Sequence, residues 1–92
     1  MTSGRKGRAN EARTERWLHA RGMSTIRAAA SRGVFDVIGF GNGQCVLVQV
    51  KTNRNAGPAE RERIAAVVVP EGCHKCVHIW RKYARAPEVI TL

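Results

Sequence analysis

No stretch of this sequence approaches the roughly 20 apolar residues that span a bilayer, and the N-terminus lacks the apolar segment of a secretory leader. A membrane-embedded or exported protein is therefore not expected, and the chain reads as intracellular. Cysteine is scarce: three residues, an odd number, build no disulfide framework and suit a reducing compartment. There is no internal repeat and no low-complexity tract. Acid is also in short supply, with seven Asp plus Glu against sixteen Lys plus Arg, a net charge of +9. Residues 1 to 32 hold eight of the basic residues and only Glu11 and Glu15 as acids. Such an excess is the electrostatic footprint of a phosphate-rich partner. Twelve of the sixteen are arginine, whose planar fork suits bidentate phosphate contacts.

Ninety-two residues make one domain, which buries only about 60 to 65% of its unfolded surface, so self-association would help it. Residues 1 to 8, with two glycines and three basic residues, read as a flexible basic arm. A helix is expected from Ala9 to Arg21, stopped by Gly22. Thr25 to Ala29 reads as a strand, Val34 to Phe40 as a second, and Gln44 to Lys51 as a third. Pro58 opens a second helix, with Glu60 and Glu62 in its first turn, and Pro70 ends it. Cys76 to Tyr83 and Glu88 to Leu92 are the last strands. The expected order is αβββαββ, an α/β domain.

The chemistry concentrates on the second and third strands. Asn42-Gly43 favours a type I′ hairpin turn, which pairs positions summing to 85 and sets Asp36 opposite Gln49, with Lys51 next along that face. Sliding the register by one would bury the Asp36 carboxylate among Val46, Val48 and Val50, which its desolvation cost forbids. An acid, an amide oxygen and a lysine then converge on one strand pair. That set can hold a divalent metal beside a phosphate and supply a cation for a water nucleophile or the developing charge.

Asp36 followed by Gln49-Val50-Lys51 resembles the core of the PD-(D/E)xK nuclease superfamily, with Gln where a second acid is usual, as in the Mrr-type restriction endonucleases. Arg5-Lys6-Gly7, then Asn10-Glu11, then a helix ending at Arg21-Gly22, is similar to the opening of archaeal-type Holliday-junction resolvases, including phage-borne relatives. The likeness covers residues 5 to 54. It implies a restriction-endonuclease-like fold, a central mixed sheet flanked by helices. It also implies a metal-dependent endonuclease that hydrolyses phosphodiester bonds at four-way DNA junctions as a homodimer, in the cytoplasm or nucleoid of its own or a phage's host cell. Asp36, Gln49, the carbonyl of Val50 and Glu11 would hold Mg²⁺ or Mn²⁺, with Glu15, one turn later on the same helical face, the competitor for Glu11. Lys51 would position or deprotonate the attacking water. Arg5, Lys6, Arg8, Arg27, Ser31, Arg32 and Arg54 are the expected DNA contacts, Ser31 matching a family serine in the loop before the metal aspartate.

Other readings share parts of this pattern. A nicking or restriction-type nuclease would use the same centre, and a basic DNA-binding module would carry Gln49 as the mark of a decayed site. Cys73-His-Lys-Cys76 with His78 offers zinc ligands for an interaction protein, Cys73 being expected in the loop after Gly72. Buried small cysteines are the simpler account. Trp80, ahead of Arg81, Lys82 and Tyr83, can stack on a base or serve, like Val67 and Val69, in the core or against a partner subunit.

Overall fold

The computed structural model describes residues 4 to 28 and 34 to 92, with side chains from Gly7 onward. The elements are α1 (Gly4–His19), β1 (Ser24–Arg27), β2 (Val37–Gly41), β3 (Gln44–Thr52), α2 (Pro58–Ala66), β4 (Cys73–Trp80) and β5 (Glu88–Thr91). Their order is the one the sequence implies. The five strands form one sheet in the spatial order β1-β2-β3-β4-β5. Neighbours are antiparallel except β3 and β4, which run parallel across the α2 crossover.

The β2–β3 hairpin has the expected register. Val37 pairs with Val48 and Gly41 with Gln44, around a turn in which Asn42 (φ 54°) and Gly43 (φ 76°) are both left-handed, as a type I′ turn requires. Alternation along β3 then divides the core. Val48, with Val37 and Cys76, packs beneath Leu18 of α1, while on the other face Val77 and Ile79 of the neighbouring β4 pack with Phe35, Ala56 and the α2 residue Ile64.

α1 begins at Gly4, five residues before the start read from the sequence, so residues 4 to 8 form its first turns and not an arm. Glycines at 4 and 7 argue locally against a helix, at about 1 kcal/mol each. Extending a helix that is already anchored is far easier than nucleating one. The anchors are polar: Asn10 and Thr14 are buried beside Leu18, and Asn10 Nδ2 donates to Thr52 Oγ1 at 2.6 Å. The other end is closed as expected by Gly22, whose φ of 82° lets Met23 N donate to the Leu18 carbonyl and Gly22 N to the His19 carbonyl.

α2 stops at Ala66, before Pro70. Val67-Val68-Val69 is a β-branched run that resists helix, and Lys75 Nζ takes the freed Ala65 and Val67 carbonyls at 2.8 Å each. β4 starts at Cys73, which is therefore in the strand and not in the loop before it. Trp80 is buried, its indole donating to Thr14 Oγ1 at 2.8 Å, so it is a core residue and offers nothing to a base or a partner subunit. Val67 packs against the cluster under α2. Among the described residues no helix is long and apolar enough to cross a membrane.

Candidate active site

Asp36 sits where the chain bends into β2. Its own N–H bonds the Val48 carbonyl at 2.8 Å and its Oδ2 accepts the Val50 N–H at 2.8 Å, which pins the carboxylate against β3. Burial pushes the Asp36 carboxyl above the ordinary range; the Val50 N–H and the Lys51 charge oppose that shift and the Glu60 charge adds to it. A half-buried acid whose shift stays upward despite the Lys51 charge is incompletely compensated, which is the condition a cation relieves.

Lys51, two residues beyond Gln49 on β3, reaches the N-terminus of α2 and pairs with Glu60 Oε2 at 2.8 Å. Glu60 is a member of this cluster that the sequence reading placed only in a helix turn. Its other oxygen accepts the Gly57 N–H at 3.0 Å, half of a capping box. Hydrogen bonds from Lys51 and Gly57 hold the Glu60 carboxyl below its usual range. No local pattern ties a helix-start glutamate to a strand lysine nine residues earlier; the loop 53 to 57 brings them together.

Gln49 contributes the most informative atom. Its Oε1 is buried with no hydrogen-bond partner among the described residues, although buried amide oxygens are almost always satisfied. An oxygen left bare beside a carboxylate matches one missing ligand of a hard cation.

The two helix acids differ in their surroundings. Glu15 is tied to β1, accepting from Thr25 Oγ1 at 2.7 Å and from Arg27 Nε at 2.8 Å, bonds that lower its pKa. Among the described residues Glu11 has no such commitment: burial and the Asp36 charge raise its pKa. Of the two helix acids, Glu11 is the one whose carboxyl the Asp36 charge raises. Arg27 is correspondingly occupied by Glu15, Arg8 lies close enough to Glu11 to lower it electrostatically, and Arg54 is exposed. The Arg5 and Lys6 side chains, and all of Ser31 and Arg32, lie outside the described residues.

Among the described residues no three His, Cys, Asp or Glu side chains gather into a metal-binding group. The zinc arrangement fails because Cys73 and Cys76, three apart on one strand, point to opposite faces. Cys76 and His78 do share a face, but the His78 ring is committed to Thr14 Oγ1 at 3.2 Å and lies edge-on to Trp17. The same finding limits the site around Asp36 to one or two carboxylates together with neutral oxygens. That composition fits Mg²⁺, which keeps several waters and takes further oxygens from a substrate phosphate.

A search of curated protein sequences finds no match. Among solved structures, the Hjc Holliday junction resolvase of the hyperthermophilic archaeon Archaeoglobus fulgidus superposes with a TM-score of 0.75 at 19% identity, over 94% of this chain and 72% of that one. At that identity the likeness establishes the fold. The family model of the archaeal Holliday junction resolvase (Hjc) matches residues 2–69, a span that holds α1, the β2–β3 hairpin and α2. By that match this chain belongs to the archaeal Holliday junction resolvase family.

Proposed function

We propose that the chain resolves four-way DNA junctions as a Mg²⁺- or Mn²⁺-dependent endonuclease that works as a homodimer. The observation that carries the metal centre is the bare, buried Oε1 of Gln49 on the strand that also holds Lys51 and, through Val50, Asp36. In this reading Asp36, Gln49, the Val50 carbonyl and Glu11 hold the cation. Bound there, the metal would polarise the scissile phosphate and lower the pKa of a water.

The chain's own residues do the rest. Lys51 places its ammonium where it can orient the attacking water and neutralise charge on the phosphate, and Glu60 fixes that ammonium. Asp36 is oriented by the Val50 N–H, so its carboxylate is aimed before a ligand arrives. Arg8 and Arg54, with Arg5, Lys6, Arg32 and Ser31, would engage phosphates beyond the cut, and Arg27 would have to exchange Glu15 for phosphate.

Cutting two opposed strands with one site per subunit calls for a two-fold dimer. Ile26 and Phe40, exposed at 54% and 42%, support a partner surface, since neither belongs to the cluster under α2.

The test is to incubate the protein with labelled four-way junction, linear duplex and single strand, in Mg²⁺, Mn²⁺ or EDTA. Junction-selective, metal-dependent cleavage is expected, with Asp36→Asn and Lys51→Ala losing cleavage while still binding. Equal cutting of linear duplex would favour the nicking or restriction-type reading, and binding without cleavage the non-catalytic module. Unchanged cleavage by Asp36→Asn would overturn the metal-site assignment.

A further inference from the structure

At the end of β3, on the face towards α1 and opposite the one Lys51 occupies, Thr52 and Asn53 line a groove of about 440 Å³ whose wall is the turn that begins at Arg81. The turn is tightly held. Ala84 N donates to the Arg81 carbonyl at 3.0 Å, Lys82 N donates to Asn53 Oδ1 at 3.0 Å, and Arg81 Nη1 donates to the Asn53 carbonyl at 2.9 Å. Asn53 N in turn donates to the Trp80 carbonyl at 3.0 Å, so the turn and the end of β3 move as one piece.

At its third position stands Tyr83, with φ of 65° and 89% of its surface exposed. A left-handed third position in a turn is ordinarily filled by Gly or Asn, because a Cβ is strained there. Exposing an aromatic ring is also unfavourable. Among the described residues nothing in the fold uses the ring: its one neighbour of note there is the Lys82 ammonium, 5.3 Å from the centroid. A strained backbone that presents an uncovered ring at the rim of a cationic groove is a feature that binding explains and folding does not.

The groove's charge says what binds. Arg13, Arg81 and Lys82 line it, and an adjoining hollow that shares Arg13 and Trp80 adds Arg16 and Arg85; no Asp or Glu lines either one. Of these cations Arg81 is paired, with Glu88 at 3.3 Å. A positive trough with one exposed aromatic side chain is the arrangement that carries a single nucleic-acid strand, phosphates on the cations and a base stacked on the ring.

We propose that Tyr83 is a stacking platform for an unpaired base of a DNA strand lying in this groove, with Arg13, Lys82 and Arg85 on its phosphates. The proposal rests on the DNA-nuclease reading and adds to it a contact outside the metal centre.

The test uses the full chain in EDTA, where nothing is cut. Anisotropy titrations at one salt concentration compare a single strand, a paired duplex of equal length and a four-way junction, for the wild type, Tyr83→Phe and Tyr83→Gly. Tyr83→Phe should bind like the wild type, whereas Tyr83→Gly should lose about tenfold on the single strand and little on the duplex. The melting temperature of Tyr83→Gly should be unchanged or higher, because glycine relieves the left-handed strain. A single strand carrying 5-iododeoxyuridine should cross-link to Tyr83. Wild-type affinity in Tyr83→Gly would overturn the proposal alone, as would a lower melting temperature with an equal loss on all three DNAs. A wild-type chain that binds none of the DNAs would overturn the nuclease reading as well.

Discussion

The Lys51 ammonium and the Glu60 carboxylate are paired at 2.8 Å, and Glu60 uses its second oxygen to hold the start of α2. The acid therefore ties a strand lysine to a helix terminus. Glu60→Gln keeps an acceptor for the Gly57 N–H but removes the charge that fixes Lys51. We expect kcat for junction cleavage to fall about tenfold, less than the roughly hundredfold or more that losing a proton-transfer group outright costs, with junction affinity unchanged. Glu60→Ala should in addition destabilise the fold by about 1 kcal/mol through the lost cap. Single-turnover rates alongside binding titrations check the first, and urea unfolding the second. A rise in Kd with kcat intact would place Glu60 in DNA binding and not in positioning Lys51.

Gln49→Glu puts a second carboxylate beside an Asp36 that burial already holds above its ordinary pKa. Without metal the variant should melt about 5 °C or more below the wild type, equivalent to roughly 1 kcal/mol in a domain of this size. With Mn²⁺ or Mg²⁺ the order should reverse, because the cation then meets two anionic ligands, and cleavage at low metal concentration should be kept or increased. Differential scanning calorimetry across a metal titration reads both. A variant that folds, yet gains no more from metal than the wild type does, would mean that Gln49 points its amide nitrogen and not its oxygen at the site.

His78 gives the fold an acid limit of its own. Its ring is fully buried, and burial lowers its pKa from 6.5 to about 4, with the Arg21 charge adding to the effect. The Trp80 indole can only donate to Thr14 Oγ1, which leaves the Thr14 hydroxyl proton for His78 Nδ1 and puts the ring's own proton on Nε2. A base whose folded pKa is depressed contributes stability above its unfolded pKa. That contribution is lost as pH falls from 6.5 towards about 4, to a total of about 3 kcal/mol. Urea unfolding between pH 6.5 and 4.5, where the lowered Glu15 and Glu60 are still ionised, should show the decline in the wild type and a flatter profile in His78→Gln. Identical pH slopes would remove His78 as the cause.

Binding should be steeply salt dependent. If each subunit of a dimer neutralises about four phosphates, the log-log slope of affinity against salt is about −7. Sedimentation at micromolar concentration, run beside junction and duplex titrations at two salt levels, should show a dimer that prefers the junction. A charged residue at the exposed apolar strip, Phe40→Glu, should yield monomers that keep their fold. Monomers that bind linear duplex as tightly as the junction would contradict the resolvase reading.

By itself the sequence determined what depends on neighbours along the chain. The Asn42-Gly43 turn and the alternation of Val46, Val48 and Val50 set the hairpin register, because a two-residue turn leaves one way to bury the valines and spare Asp36. Gly22 closed α1 for an equally local reason, its left-handed φ. Tertiary packing decided the rest. α1 extended back to Gly4 because Asn10 and Thr14 found buried partners on Thr52, His78 and Trp80, contacts separated by 42 to 66 residues. Glu11 and Glu15 are near neighbours on one helical face; what separates them is that Thr25 and Arg27 of β1 bind Glu15, whereas burial and the Asp36 charge raise the Glu11 carboxyl. Trp80 went inward and Tyr83 outward, although both belong to one basic, aromatic stretch, since α1 covers the first through Thr14 and the Asn53-anchored turn leaves the second exposed. Glu60 joined Lys51 only when α2 docked. Charge and period are properties of a segment, whereas which acid meets which lysine is fixed by how separate elements pack.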